Sequence, residues 1–187
     1  MVRKRHTEEA LSAARHGDNA ALRAVYERLA PAVFGYLTAR GVPHPEAVTS
    51  DIFVAVFKRL DAIEGATAGL RTAVFSDAYA RIRDEVRPAA DHPALVAYRP
   101  GTDFRMSAAA ARVALREIDS AGVVAMVNRL APGQRDVLLL RVVADLSIDQ
   151  VAEITQRSRV AVKQLQRRGF VALRTMLVLE AQRAAED

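Results

Sequence analysis

The pattern of helix signals near the C-terminal end constrains the fold of this 187-residue chain more than any other feature. Residues 147–150 (Ser-Ile-Asp-Gln) fit a capping box, in which the Ser and Gln side chains bind each other's backbone N–H groups. A helical apolar pattern continues to Ile154, and four polar residues, 155–158, then interrupt it. Ser158 can cap a longer helix that runs through Leu177. A short helix, a four-residue turn and a longer helix predict a helix-turn-helix.

Charge is divided unevenly across this motif. From Asp136 to Glu153 the chain carries four acidic residues and one basic residue, whereas from Ile154 to Met176 it carries six basic residues and no acidic one. Arg, Lys and Gln side chains can bind base edges in the major groove or phosphates of the backbone. We therefore predict duplex DNA binding; the alternative is a solvated basic face on an ordinary helical hairpin. The candidate residues are Arg157, Ser158, Arg159, Lys163, Gln164, Arg167 and Arg168.

Apolar residues at spacings of three and four predict three helices in the N-terminal half. The first spans about 18–39 with Asp18 as its N-cap, and the second spans about 45–60. The third follows the turn at Gly65–Gly69 and must end before Pro88, since proline lacks the backbone N–H that a helix needs. The aromatic residues on these stripes are expected in the core: Tyr26, Phe34, Phe53 and Phe57.

The middle of the chain lacks an apolar period. Residues 88–105 contain three prolines, which favours an extended linker. A helix from Ser107 to Ile118 and a short helix from Val123 to Leu130 are expected to follow. The expected fold class is all-α, with two small helical domains: an N-terminal helical bundle at 1–87, a Pro-containing linker at 88–106 and a C-terminal helix-turn-helix domain at 107–187.

The sequence lacks the residues that several classes of function require. The chain has no Cys, which excludes disulfides, thiolate zinc sites and a Cys nucleophile. Its four histidines lack ligand spacing, and there is no Gly-rich phosphate loop or catalytic Ser/His or paired-carboxylate context, so we expect no metal, no cofactor and no enzymatic activity. Without a signal region or an apolar run of about 20 residues, we expect a cytoplasmic protein with no membrane insertion.

Three segments of the C-terminal part carry a family resemblance. Residues 130–141 (Leu-Ala-Pro-Gly-Gln-Arg-Asp-Val-Leu-Leu-Leu-Arg), 147–154 and 162–168 resemble the domain of bacterial sigma factors that binds the promoter minus-35 element. The nearest group is the two-domain extracytoplasmic-function type. One departure is Ala131, where the family has Pro, with Pro132 displaced by one position. From their place at the start of the second helix, Arg159, Lys163 and Gln164 can reach base edges in a major groove, and Arg157 and Arg168 would then lie nearer the phosphates.

The N-terminal half is similar to the sigma domain that binds core RNA polymerase and opens the minus-10 element. Residues 24–37 resemble its first helix, and residues 45–53 align with the family's A-E-D-L-T-Q-E-V-F, with Ala47 and Ser50 in place of Asp and Gln. Matching family residues are Glu46, Thr49 and Phe53. The resemblance implies that the polymerase contacts lie at Glu46, Thr49, Ser50 and Asp51.

The next helix departs further from the family. Residues 69–76 align with W-L-x-x-I-A-x-N, but Gly69 and Ser76 replace the Trp and the Asn, and Ala80 replaces an Asp. The residues that the resemblance assigns to minus-10 DNA are Ser76, Arg81 and Arg83.

The resemblance implies a sigma factor that binds core RNA polymerase and directs promoter-specific transcription initiation. Its expected partners are core RNA polymerase, promoter DNA and an anti-sigma protein, which in this group commonly holds the two domains together. Two alternatives stay open: a helix-turn-helix regulator that binds an operator, and a sigma-like protein that no longer melts promoters. The departures at Gly69, Ser76 and Ala80 motivate the second alternative.

Overall fold

A computed structural model of the chain describes residues 11–85 and 121–186. The regular elements of these two segments are helices, which agrees with the expected all-α class. The expected linker at 88–106 and the expected helix from Ser107 to Ile118 lie outside the described residues. Within the described segments, no helix combines the length and apolarity needed to cross a bilayer.

A helical stretch at residues 11–15, three longer helices and a tight turn form the N-terminal bundle, residues 11–85. Helix α1 spans Asn19–Ala39, and the Asp18 carboxylate caps it by accepting from the backbone N–H groups of Ala20 at 2.8 Å and Ala21 at 3.2 Å. The predicted first helix and its cap are therefore confirmed. The further elements are α2 at Pro45–Phe57, a 3-10 turn at Leu60–Ala62 and α3 at Ala66–Glu85.

Helix α2 is shorter than predicted. It ends at Phe57, and the chain then tightens into the 3-10 turn, which places Leu60 in the core. A helix extended through position 60 would place Leu60 at a different angle, and periodicity alone does not distinguish the two geometries. The helix also begins without a side-chain cap: His44 adopts a left-handed conformation and Pro45 occupies the first turn, where a missing N–H costs nothing.

Aromatic side chains fill the centre of the N-terminal bundle. The rings of Tyr26 and Phe53 meet edge to face with centroids 4.8 Å apart, and those of Tyr36 and Phe75 meet similarly at 5.8 Å. Phe57 packs on Phe53 and is half-buried. These contacts, together with the burial of Phe34, confirm the predicted aromatic core and leave these rings engaged in folding.

Four helices form the C-terminal bundle, residues 121–186. Both α5 and α6 pack on α7, which runs the length of the bundle. Val137, Leu140 and Val162 are fully buried at the centre of this arrangement. The short helix expected at 123–130 is present two residues earlier. The elements are α4 at Ala121–Asn128, α5 at Pro132–Val142, α6 at Ile148–Thr155 and α7 at Arg159–Glu186.

The two bundles also contact each other. Helix α3 packs against α6, and α1 packs against α5. The first helix of the C-terminal motif is therefore covered on one side by the N-terminal bundle, while α7 presents its outer side to solvent.

Candidate nucleic-acid interface

The capping box predicted at the start of α6 is present. The Ser147 backbone N–H donates to Gln150 Oε1 at 2.8 Å, and the Gln150 backbone N–H donates to Ser147 Oγ at 3.2 Å. The helix ends at Gln156, whose left-handed conformation, with φ at 54°, reverses the chain. Because both ends of α6 are fixed in this way, the direction in which α7 leaves the turn is fixed as well.

Ser158 begins the second helix of the motif. Its hydroxyl accepts from the Ala161 backbone N–H at 3.1 Å, as expected for an N-cap. The sequence placed Ser158 among the DNA-binding candidates, and the structure shows it engaged in capping at an exposed position at the helix start.

Helix α7 presents a continuous strip of exposed basic and polar side chains. At about 100° per residue, Lys163, Gln164 and Arg167 share one side of the helix, and Val162 faces the core on the other. Arg168 is also exposed but lies toward the edge of the strip. Of the predicted base-reading residues, the structure therefore brings Lys163 and Gln164 together with Arg167. We call this strip the recognition face, with Val160, Lys163, Gln164 and Arg167 as its members.

Val160 was not recognised as a candidate from the sequence. Its side chain is 64% exposed in the first turn of α7, on the recognition face. In the sequence, an apolar residue two positions before Val162 is consistent with the core pattern. The first turn of a helix is too short for apolar spacing to separate its buried side from its exposed side.

Arg159 stands at the first position of α7 and forms an ion pair with Asp149 of α6, with Nε and Oδ1 2.6 Å apart. Both side chains are about two-thirds exposed, at 67% and 63%. Water therefore screens this pair strongly, and Arg159 can exchange Asp149 for another acceptor at little cost.

Arg157 turns away from the recognition face. A Cβ built on Gly133 would lie 3.5 Å from Arg157 Nη2, so the guanidinium lies against the start of α5. There it helps to lower the pKa of Asp136, against the larger opposing effect of burial. Arg157 is thus separate from the base-reading candidates.

The four polymerase-binding candidates differ in how deeply their side chains are buried. Glu46 and Asp51 are exposed on α2, and Ser50 is half-buried, with its hydroxyl donating to the Glu46 carbonyl at 3.1 Å. Thr49 is fully buried, and its hydroxyl donates to the Pro45 carbonyl at 2.7 Å. Thr49 therefore stabilises the first turn of α2 and presents no surface in this arrangement.

The minus-10 candidates lie along the second half of α3. Ser76 and Arg83 are seven residues apart and share one side of the helix, whereas Arg81 points to another side. Both arginines are exposed and Ser76 is half-buried. Asp77, next to Ser76, pairs with Arg59 at 2.6 Å, which ties this part of α3 to the end of α2.

Gly69 has a structural reason for replacing the large aromatic residue of the family. A Cβ at this position would lie 1.6 Å from the Glu64 carbonyl oxygen, so the loop before α3 packs directly on the helix backbone. Gly65 and Ala66 make the turn with positive φ angles of 82° and 50°. No side chain larger than hydrogen fits position 69 while the loop keeps this path.

Polar contacts between the bundles were not expected from the sequence. Gln150 Nε2 donates to the Ala68 carbonyl at 3.0 Å and to Thr72 Oγ1 at 2.9 Å. Arg40 Nη1 and Asp136 Oδ1 are 2.6 Å apart, with side chains only 8% and 13% exposed. Burial raises the pKa of the Asp136 carboxyl above its usual range, and Arg40 opposes that shift only in part.

Burial also raises the pKa of the neighbouring Tyr36 phenol well above its ordinary value, and the Asp136 charge adds to that effect. Arg40, Asp136 and Tyr36 thus form a polar cluster that is largely shielded from water. Among the residues that the structure describes, no group of three or more His, Asp or Glu side chains could hold a metal ion.

Comparisons with known proteins agree with this geometry. Residues 121–173 match the family described as Sigma-70, region 4, a range that contains the whole helix-turn-helix. No curated protein matches the chain by sequence.

The solved structures similar to this chain include two complexes. CnrH in complex with the cytosolic domain of CnrY matches with a TM-score of 0.62 and 21% identity, over 92% of this chain and 97% of that one. The RsbN–BldN complex matches with a TM-score of 0.37 and 20% identity, over 89% and 98% of the two chains. The first similarity shows a shared fold along nearly the whole chain.

Proposed function

We infer that this chain belongs to the sigma-70 family, in its extracytoplasmic-function group, and acts as a sigma factor that directs core RNA polymerase to promoters. The observation that carries this inference is that the region 4 match at 121–173 falls on a helix-turn-helix whose second helix carries, within that match, basic residues and no acidic one. The fold shared with CnrH over 92% of this chain extends the likeness to the N-terminal bundle. A sigma factor supplies specificity, and the polymerase supplies the chemistry.

The C-terminal bundle reads the minus-35 element as duplex DNA. In this proposal Arg159, Lys163 and Gln164 donate to base edges in the major groove. Arg168, toward the edge of the recognition face, supplies positive charge for the flanking phosphates, which set register without reading sequence. Arg157, whose guanidinium lies against α5 in this arrangement, would have to turn to reach them. The capped turn before α7 supports this role, because it holds the recognition face in a fixed orientation.

The N-terminal bundle binds core polymerase and the minus-10 element. The exposed Glu46 and Asp51, with Ser50 beside them, form the polymerase-binding edge of α2, and Thr49 supports it from inside. Ser76 and Arg83 share the side of α3 that meets DNA, and Arg81 adds charge nearby. These assignments rest on the family alignment and on exposure. Because RNA polymerase is a cytoplasmic enzyme in bacteria, the proposed function implies that this protein acts in the cytoplasm.

An anti-sigma protein is the third partner that we propose. Its support is an exposed apolar stretch on α7 beyond the recognition face, where Phe170 is 46% exposed and Leu177 is 53% exposed. Such a surface is typical of a protein interface. CnrH, which shares this fold, was solved in complex with the cytosolic domain of another protein.

Reconstitution tests the proposed function. The full chain is mixed with bacterial core RNA polymerase, and run-off transcription is measured on a library of genomic fragments. We expect a stable complex and discrete start sites. Binding to DNA without binding to core would contradict the sigma assignment and favour the helix-turn-helix regulator.

Permanganate footprinting on a fragment with a start site distinguishes the remaining alternative. We expect reactive, unpaired thymines near the minus-10 element. A complex with core polymerase that never melts its template would instead indicate the sigma-like protein that the departures at Gly69 and Ser76 suggested.

A further inference from the structure

Val160 occupies the middle of the recognition face. At about 100° per residue it lies between the directions of Lys163 and Gln164, one turn earlier on the same side of α7. Its side chain is 64% exposed, whereas Val162, two residues on, is fully buried. The fold gains little from this valine, because a β-branched residue is a poorer helix former than alanine and the side chain covers little of the core.

The major groove offers such a side chain one apolar group. The base edges there present hydrogen-bond donors and acceptors, and the exception is the C5-methyl group of thymine. We propose that Val160 contacts a thymine methyl group in the minus-35 element and so contributes to promoter specificity. This proposal rests on the proposed function, since it assumes that α7 enters the groove of a duplex.

Deoxyuridine tests the contact because it differs from thymidine only by that methyl group. Duplexes are selected from a randomised pool by the full chain assembled with core RNA polymerase, and each thymine of the selected element is then replaced in turn. We expect one replacement to weaken binding of the wild-type protein about three- to fivefold, as burial of one methyl group predicts. The Val160→Ala variant should bind the two duplexes equally.

Val171→Ala is the matched control, since Val171 is 60% exposed on the same helix, three turns further on. This variant should keep the wild-type sensitivity to deoxyuridine. A selected element in which no replacement matters, or a sensitivity that persists in Val160→Ala, would overturn the Val160 proposal and leave the sigma function intact. Failure to select any duplex would contradict both.

Discussion

At the scale of single residues, the proposed reading of the minus-35 element depends on a few side chains at the start of α7. Arg159 and Lys163 are both exposed there, and neither is required for packing. Truncating either one to Ala should weaken binding to the promoter duplex by about 1–3 kcal/mol, or about 5- to 150-fold, since each would remove a base contact. Fluorescence anisotropy with the selected minus-35 duplex measures this loss.

Arg183→Ala provides the comparison for these two variants. Arg183 is exposed near the far end of the same helix and carries the same charge, so its loss should change affinity little. Unchanged binding in both Arg159→Ala and Lys163→Ala would contradict the assignment of α7 as the recognition helix.

The ion pair between Asp149 and Arg159 bears on one of these proposed contacts. In the proposed complex the Asp149 carboxylate would compete with DNA for the Arg159 guanidinium and would repel phosphates. Asp149→Asn should therefore tighten duplex binding about two- to fivefold at low salt, and the gain should shrink as salt screens the charges. Titrations at two salt concentrations measure it, with Glu153→Gln as a control for the general loss of an acid from α6. An equal gain in both variants would show that the pair has no specific role.

At the scale of elements, close backbone approaches decide where α3 can begin. A Cβ at Gly69 would meet the Glu64 carbonyl oxygen at 1.6 Å, whereas a Cβ at Gly133 in α5 would have its nearest neighbour at 3.5 Å. Gly69→Ala should therefore lower the free energy of unfolding by about 1–3 kcal/mol, because the loop must move. Gly133→Ala should be neutral or stabilising by up to about 1 kcal/mol, since Ala is the better helix former.

Thermal denaturation followed by circular dichroism compares the two variants. Equal melting temperatures would mean that the loop before α3 adapts freely, and the tight path around Gly65 would then not explain the missing aromatic residue.

Sequence reasoning identified most elements because their signals are local. The Asp18 cap and the Ser147–Gln150 capping box each involve residues within three positions, and the structure confirms both. The end of α2 was placed too late, because helical and 3-10 geometry differ little in apolar spacing over a single turn.

At the scale of the whole molecule, the buried Arg40–Asp136 pair links the stability of the two bundles. Removing one partner leaves the other charge shielded from water, with Asp136 only 13% exposed. Arg40→Met should therefore cost about 3–5 kcal/mol. The double variant Arg40→Met, Asp136→Leu should recover most of that loss, because an apolar pair of similar volume avoids the desolvation of both charges.

Urea denaturation of the full chain measures both variants. A double variant as unstable as Arg40→Met alone would show that packing at this contact, and not the unpaired charge, sets the cost.

The sequence by itself determined the helices of both bundles, the helix-turn-helix and the basic side chains of α7. Caps, turns and apolar spacing act between residues within about one helical turn, so one sequence is enough to detect them. The sequence did not determine which of these side chains are exposed. Thr49 is fully buried and Val160 is 64% exposed, and neither residue has a local sequence signal for it.

Only the tertiary structure decided how the two bundles meet. Gln150 reaches Ala68 and Thr72 across 82 and 78 positions of sequence, and Arg40 finds Asp136 on another helix. Such pairs depend on the docking of preformed elements. In the sequence these residues are ordinary polar side chains. Burial in the docked structure excludes water, so each side chain then needs its partner to satisfy its hydrogen-bonding groups.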